Sequence, residues 1–229
     1  MKITRLGQAG LLFETARTTV LADPYFSDSA FAVSGVHRKK EVPERAKDIR
    51  PDLLLLTHDH IDHYDPETVQ SFVNASTRVT VLSPDSVWRR VRELGGENNF
   101  VRMEPGVTWT EKDVTVTALT ARHSDPYAIG FALEAEGLRI LITGDTLLDL
   151  DWRVPVGFER PDFLFLPING RGNNMNAADA AKLARALNAK HAVPVHYGML
   201  DDCSPDAFDY EGKAVLEDGV EYDIQENEL

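Results

Sequence analysis

The sequence predicts an α/β fold in which two β-sheets pack face to face and helices cover the outer faces. Short apolar runs alternate with turn residues over the first sixty residues, and a second block of short runs extends from residue 101 to residue 142. Helical patterns flank both blocks, and no segment repeats at a constant period. With 229 residues, 43% of them hydrophobic, the chain is long enough to form one domain over residues 1–229.

The first sheet is predicted from short apolar runs that are bounded by turn residues. The predicted strands are Lys2–Leu6, Leu11–Glu14, Thr18–Ala22, Leu53–Leu56 and Arg78–Leu82, and the predicted helices are Pro66–Asn74 and Asp85–Leu94. The stretch from Ser27 to Pro51 is polar and is predicted to be an exposed excursion of the domain.

The second sheet is predicted from the later block of strands. They are Val114–Thr117, Ile129–Glu134, Leu138–Ile142 and His191–Val195, with an alanine-rich amphipathic helix over Asn176–Leu187. Asn176 is predicted to cap this helix. A hairpin over Val215–Tyr222, turning at Asp218-Gly219, is expected to close the fold.

Composition limits the classes of function. The formal net charge is −13, which favours solubility and argues against nucleic acid as a partner, although a locally basic pocket can still hold a small anion. Cys203 is the only cysteine, so it forms neither an intramolecular disulfide nor a thiolate zinc cage. The N-terminus lacks an apolar signal core and no apolar run reaches the roughly 20 residues of a membrane span, so a cytoplasmic protein without a membrane partner is expected.

The most informative segment is an apolar strand that ends in three histidines and two acids, Leu53-Leu54-Leu55-Leu56-Thr57-His58-Asp59-His60-Ile61-Asp62-His63. His58 and His60 share one side of an extended chain, because alternate residues point the same way. Asp62 and His63 lie beyond the turn and can reach a second point. The segment predicts a metal site that serves two ions. The alternative is a set of polar residues on an exposed loop.

This segment resembles the His-x-His-x-Asp-His signature of the metallo-β-lactamase superfamily. The resemblance implies a four-layer αββα sandwich of two mixed β-sheets with helices on the outer faces, and further ligands at later strand ends. His123, Asp145 and His196 match those ligands. By resemblance, one metal ion is held by His58, His60 and His123, the second by Asp62, His63 and His196, and Asp145 bridges the two.

Nitrogen and oxygen ligands in this mixture suit two divalent ions, with zinc first and manganese, iron or nickel as alternatives. Asp23, in Leu21-Ala22-Asp23-Pro24, matches the first acidic motif of the superfamily. It is expected to orient a ligand imidazole without binding metal. The alternative is an acid that opens a turn before Pro24.

The resemblance implies a hydrolase in which a metal-bridging hydroxide attacks a small ester, with Asp62 orienting or deprotonating the water. Residues 166–199 further resemble the branch that contains L-ascorbate-6-phosphate lactonase, which suggests a lactone or a phosphorylated compound as the small-molecule substrate. Asn169, Arg171, Asn176 and Tyr197 are the expected contacts of an anionic substrate. Asn176 as a helix cap, Asn169 as a turn former, and Tyr197 packed beneath the cleft are the alternatives. Whether His37 or residues 27–51 reach substrate stays open.

Three rival functions use the same residues. A phosphodiesterase or nuclease shares the cage, but a nuclease needs a basic track that a net charge of −13 does not favour. A redox di-iron protein is disfavoured because such members of the superfamily typically carry a carboxylate where His60 stands. A non-catalytic metal-binding protein is disfavoured because no ligand of the pattern is missing. A homo-oligomer is compatible with the sequence.

Overall fold

The computed structural model describes residues 1–74 and 78–224, which form two mixed β-sheets. The first sheet has the order β13-β1-β2-β3-β4-β5-β6. Its strands are β1 (Lys2–Arg5), β2 (Leu11–Glu14), β3 (Thr19–Ala22), β4 (Leu53–Leu55), β5 (Thr80–Ser83), β6 (Asn99–Arg102) and β13 (Glu221–Asp223). Strands β13 to β3 pair antiparallel, whereas β3 to β6 pair parallel.

The second sheet has the order β12-β11-β10-β9-β8-β7. Its strands are β7 (Thr108–Glu111), β8 (Val114–Thr120), β9 (Ile129–Ala135), β10 (Leu138–Ile142), β11 (Phe163–Pro167) and β12 (His191–Val195). Strands β7 to β10 pair antiparallel, and β10 to β12 pair parallel. Both sheets therefore change from antiparallel to parallel pairing part-way across.

In the part of the chain that the structure describes, four α-helices accompany the sheets, with short 3₁₀ turns at Glu44–Asp48, Arg92–Leu94 and Pro205–Ala207. The helices are α1 (Ser29–Ser34), α2 (Pro66–Val73), α3 (Asp85–Val91) and α4 (Ala177–Ala186). None of the helices in the described ranges is long and apolar enough to cross a membrane.

The apolar residues of each strand divide between two faces. In β4 and the residue after it, Leu53 and Leu55 belong to the cluster between the sheets, whereas Leu54 and Leu56 pack with α2 and α3. Covering of both faces explains the unbroken leucine run. Phe13 and Phe165 meet edge to face across the two sheets, with ring centroids 5.6 Å apart. On the outer face of the second sheet, α4 packs on β10 and β11. The four-layer αββα arrangement is confirmed.

Two segments differ from the prediction. The expected hairpin over Val215–Tyr222 is wrong, because only Glu221–Asp223 forms a strand and it pairs with β1. The Gly219 amide donates to the Arg5 carbonyl at 2.7 Å, so this segment bonds to β1, and within the segment the Val220 amide donates to the Glu217 carbonyl at 3.3 Å. The polar excursion contains the short helix α1 and a 3₁₀ turn, which its irregular pattern did not predict.

Candidate metal centre

The predicted ligands follow strands whose carboxyl ends meet at one edge of the sandwich. His58 follows β4 and His123 follows β8, while Asp145 follows β10 and His196 follows β12. After β4 the chain turns tightly, with the amides of His63 and Tyr64 donating to the His60 carbonyl at 3.0 and 2.8 Å. This turn moves Asp62 and His63 away from the line of the strand, as the motif predicts.

All seven predicted ligands come together in three overlapping groups whose ligand atoms lie within 4.8 Å of one another. The groups are His58, His60 and His123; His58, His63 and Asp145; and Asp62, His63 and His196. Asp145 lies between the outer two groups, with Oδ2 3.9 Å from His58 Nε2 and 3.2 Å from His196 Nε2, and Oδ1 3.3 Å from His63 Nε2. This arrangement has the grouping that the resemblance implied.

The unpaired nitrogens of the cluster fit a metal ion. His58 Nε2 and His63 Nε2 are buried and, within residues 1–74 and 78–224, have no hydrogen-bond partner. Their Nδ1 atoms are occupied, by Thr57 Oγ1 at 3.0 Å and by Asp23 Oδ2 at 2.8 Å. Buried polar atoms are rarely left without a partner. Two imidazoles that are held through Nδ1, with Nε2 facing the Asp145 carboxylate, are the donors that divalent ions of the zinc type prefer.

Charges within the cluster balance one another when metal is absent. Burial lowers the pKa of His58 and of His123. Burial also disfavours charge on His196, but Asp145 and Asp62 raise its pKa to about 10. Burial opposes charge on Asp145 as well, and His196 and His63 nevertheless hold its pKa well below the usual range. Protonated imidazoles thus supply the positive charge that a metal ion would supply. Metal binding must therefore release the protons of these imidazoles.

Asp23 lies beneath the cluster and contacts two ligand-bearing residues. The side chain is 1% exposed, and its carboxylate accepts from the Thr57 amide at 2.9 Å and from Thr57 Oγ1 at 2.6 Å. Oδ2 also faces His63 Nδ1 at 2.8 Å. Because the Thr57 hydroxyl donates to Asp23, it accepts from His58 Nδ1. Asp23 therefore fixes the tautomer of His63 directly and that of His58 through Thr57. This is the orienting position expected from the sequence.

The loop over residues 169–176 was predicted to contact substrate, but several of its residues contact the predicted metal ligands. Asn174 is 6% exposed and donates Nδ2 to Asp145 Oδ2 at 2.7 Å, while the Asn173 carbonyl lies 3.3 Å from His123 Nδ1. Asn176 accepts from the Asp179 amide at 2.9 Å and caps α4, the alternative that the sequence left open. Asn169 pairs with Asn176 through a backbone bridge.

Tyr197 lies in the loop that follows β12, and its side chain packs into the apolar cluster beneath α4. It is 6% exposed, and the Arg5 guanidinium carbon lies 4.3 Å from its ring centroid. Arg5 is itself 1% exposed and forms an ion pair with Asp218, which also accepts from Lys40 Nζ at 2.9 Å. Arg171, by contrast, is exposed. Of the four expected substrate contacts, Arg171 and Asn176 are exposed, Asn169 is half-buried and Tyr197 is buried.

Two amides at the centre were not predicted from the sequence. Asn174 contacts Asp145, and Gln8 Nε2 lies 2.7 Å from Asp62 Oδ2. Each partner is distant along the chain, so no local spacing links them. The one local signal for Gln8 is its place in the turn Gly7-Gln8-Ala9-Gly10, where glycines allow close approach of backbone segments.

Comparison with known proteins places the chain in a family. A family model described as a β-lactamase superfamily domain matches residues 18–197, a range that holds all seven residues of the cluster. A UPF0173 metal-dependent hydrolase of Oenococcus oeni is 30% identical over 221 residues, covering 90% of each chain. The chain belongs to the UPF0173 family of metal-dependent hydrolases. This is a coarser assignment than the lactonase-like branch expected from residues 166–199.

Solved structures share the fold of this UPF0173 member. Igni18, a metallo hydrolase from Ignicoccus hospitalis, has a TM-score of 0.73 at 18% identity, covering 97% of this chain and 98% of its own. An isothiocyanate hydrolase from Delia radicum gut bacteria has a TM-score of 0.74 at 17% identity, covering 98% and 99%. At these identities the likeness concerns the fold alone.

Proposed function

We propose that this UPF0173 chain is a dinuclear hydrolase of small anionic esters, such as a lactone or a phosphorylated compound. The observation that carries the proposal is the overlap of three ligand groups around Asp145, because one group alone would serve a single ion. Two bound divalent ions supply Lewis acidity and a shared water of lowered pKa. Zinc is the leading candidate, with manganese, iron and nickel as alternatives.

Asp62 is the residue proposed to orient the attacking water. Burial alone would raise the pKa of Asp62, but the charges of His63 and His196 hold it well below its usual range. Asp62 therefore remains ionised at neutral pH and accepts a hydrogen bond from water. Such a weak base is better suited to orienting water than to removing its proton.

Access to the centre is open on the side of His60 and His123. Both side chains are partly exposed, whereas His58 and His63 are fully buried. Ser124 is exposed and its Oγ lies 3.2 Å from His60 Nε2. Arg122, directly before His123, is exposed as well. An exposed arginine one residue before the predicted ligand His123 supports the proposal of an anionic substrate.

Metal content and turnover of the purified chain test the proposal together. We expect inductively coupled plasma mass spectrometry to find two divalent ions per chain. We also expect the chain to hydrolyse at least one compound in a panel of lactones, phosphate monoesters, phosphodiesters and isothiocyanates. His196→Ala should lose one ion and the activity. His191→Ala is the matched control, because His191 begins β12, the strand that His196 follows, and lies outside the metal groups of the described chain. Two bound ions without turnover of any of these compounds would favour a metal-binding protein.

A further inference from the structure

The turn between β1 and β2 carries a buried side chain that the proposed function does not use. Gln8 is 1% exposed, and its backbone is left-handed with φ of 44°. A residue other than glycine in this region costs about 1–3 kcal/mol and persists only where the surroundings hold it. Such strain is typical of functional sites, so the contacts of Gln8 are of interest.

The backbone of Gln8 is hydrogen-bonded to His196, the residue that follows β12. The His196 amide donates to the Gln8 carbonyl at 2.8 Å, and His196 is also left-handed with φ of 55°. Gly7 lies so close to Met199 that an added Cβ would be 2.5 Å from the methionine methyl carbon. The turn and the loop after β12 therefore hold each other in place.

The Gln8 side chain reaches a carboxylate and an imidazole of the cluster. Its Nε2 donates to Asp62 Oδ2 at 2.7 Å and lies 3.2 and 3.3 Å from the ring nitrogens of His196. Asp62 Oδ2 is also 3.1 Å from His196 Nε2 and 3.8 Å from His63 Nε2. A carboxylate oxygen accepts in more than one direction. The amide thus fixes the rotation of Asp62 and leaves Oδ2 facing both imidazoles.

We propose that Gln8 is a positioning residue for one half of the centre, the metal site formed by Asp62, His63 and His196. The proposal rests on the dinuclear function proposed above. As a neutral donor, the amide orients the carboxylate without adding charge to a site that must accept a cation. Among the described residues, its side chain donates to Asp62 and lies close to the His196 ring, and it does not reach the group of His58, His60 and His123.

The test compares zinc binding by the full chain and by two variants that lack the donor, Gln8→Met and Gln8→Ala. Methionine keeps the length of the side chain and alanine removes it. Gln70→Met is the matched control, because Gln70 is exposed on α2. Each protein is stripped of metal and titrated with Zn²⁺ in competition with a chromophoric chelator, and its thermal unfolding without metal is recorded.

We expect one of two zinc-binding steps to weaken by roughly 10- to 100-fold, as is typical when a partner of a metal ligand is removed. The other step and the control should match the wild type. In a His123→Ala background, where the other half is damaged, Gln8→Met should weaken the zinc binding that remains.

Three outcomes would overturn the positioning role: unchanged affinities, an equal loss in both steps, or failure of both variants to fold. The last two would indicate a role in the fold. A wild-type chain that binds fewer than two zinc ions would refute the proposed dinuclear function, and that result is read before any variant is compared.

Discussion

Replacing Asp23 by asparagine should weaken both metal-binding steps, unlike the change at Gln8. The Asp23 carboxylate contacts His63 directly at 2.8 Å and contacts His58 through Thr57 Oγ1, with distances of 2.6 and 3.0 Å. His58 belongs to one outer ligand group and His63 to the other, and both share the middle group with Asp145. In the variant, an amide nitrogen replaces one acceptor oxygen and meets a donor.

The size of the effect follows from these contacts. Loss of an outer partner of a ligand imidazole typically lowers metal affinity by about 10- to 100-fold. This corresponds to about 1.4–2.7 kcal/mol per ion. Without metal, the variant loses hydrogen bonds to a buried charged group, so its free energy of unfolding should fall by about 1.5–3 kcal/mol.

Stepwise Zn²⁺ titration and urea unfolding of the metal-free chain measure the two quantities. Asp209→Asn is the matched control, because the Asp209 side chain is 100% exposed. Thr57→Val should interrupt the link to His58 and leave the contact between Asp23 and His63, so it should weaken one step. Unchanged zinc affinities in both steps of Asp23→Asn, or an equal loss in both steps of Thr57→Val, would refute this orienting role of Asp23.

Three further predictions concern the surroundings of the centre. Asn174→Ala removes the 2.7 Å hydrogen bond to Asp145, so zinc affinity should fall by about 10- to 100-fold, and an unchanged titration would contradict the contact. Asp218→Asn leaves the buried Arg5 guanidinium without its carboxylate, so urea unfolding should report a loss of about 3–5 kcal/mol, whereas a change below about 1 kcal/mol would count against the pair. Against the effect of burial, Asp145 raises the pKa of His196 from 6.5 to about 10. The stability from this shift is complete below pH 6.5 and is lost as pH rises through about 10, so the melting temperature without metal should fall over that window, and less so in His196→Gln.

Local patterns predicted most of the framework because burial and strand ends leave a signal in neighbouring residues. The run Leu53–Leu56 predicted an apolar strand that delivers ligands at its end, and β4 ends at Leu55, just before the ligand segment. The run Val215–Tyr222 has the turn residues of a hairpin, yet a longer-range bond from Gly219 to Arg5 determines its conformation. A pairing partner more than two hundred residues away leaves no mark on local spacing.

The same distinction applies to the centre. Histidines and aspartates at fixed offsets are rare enough to indicate metal ligands from sequence. The amides of Gln8 and Asn174 are common residue types, and their partners lie 54 and 29 residues away. Asn176 was predicted as both a possible cap and a possible substrate contact, because the residue type serves either purpose. Only the three-dimensional arrangement separates such roles.

The loops around the metal centre have different contacts, and these contacts change which residues are expected to determine substrate selectivity. Asn173 and Asn174 contact ligands and Asn176 caps α4, so residues 169–176 retain Arg171 as the exposed charged side chain of that loop. On the other side, Tyr25, Ala30 and Met199 form a small apolar cluster, which Ile61 of the ligand segment joins. The Lys39 amide donates to the Met199 carbonyl at 2.9 Å. The excursion after β3 therefore borders the metal centre through the ligand segment itself. Because loops next to rigid strand ends commonly carry specificity, we expect the excursion, together with Arg171, to select the substrate.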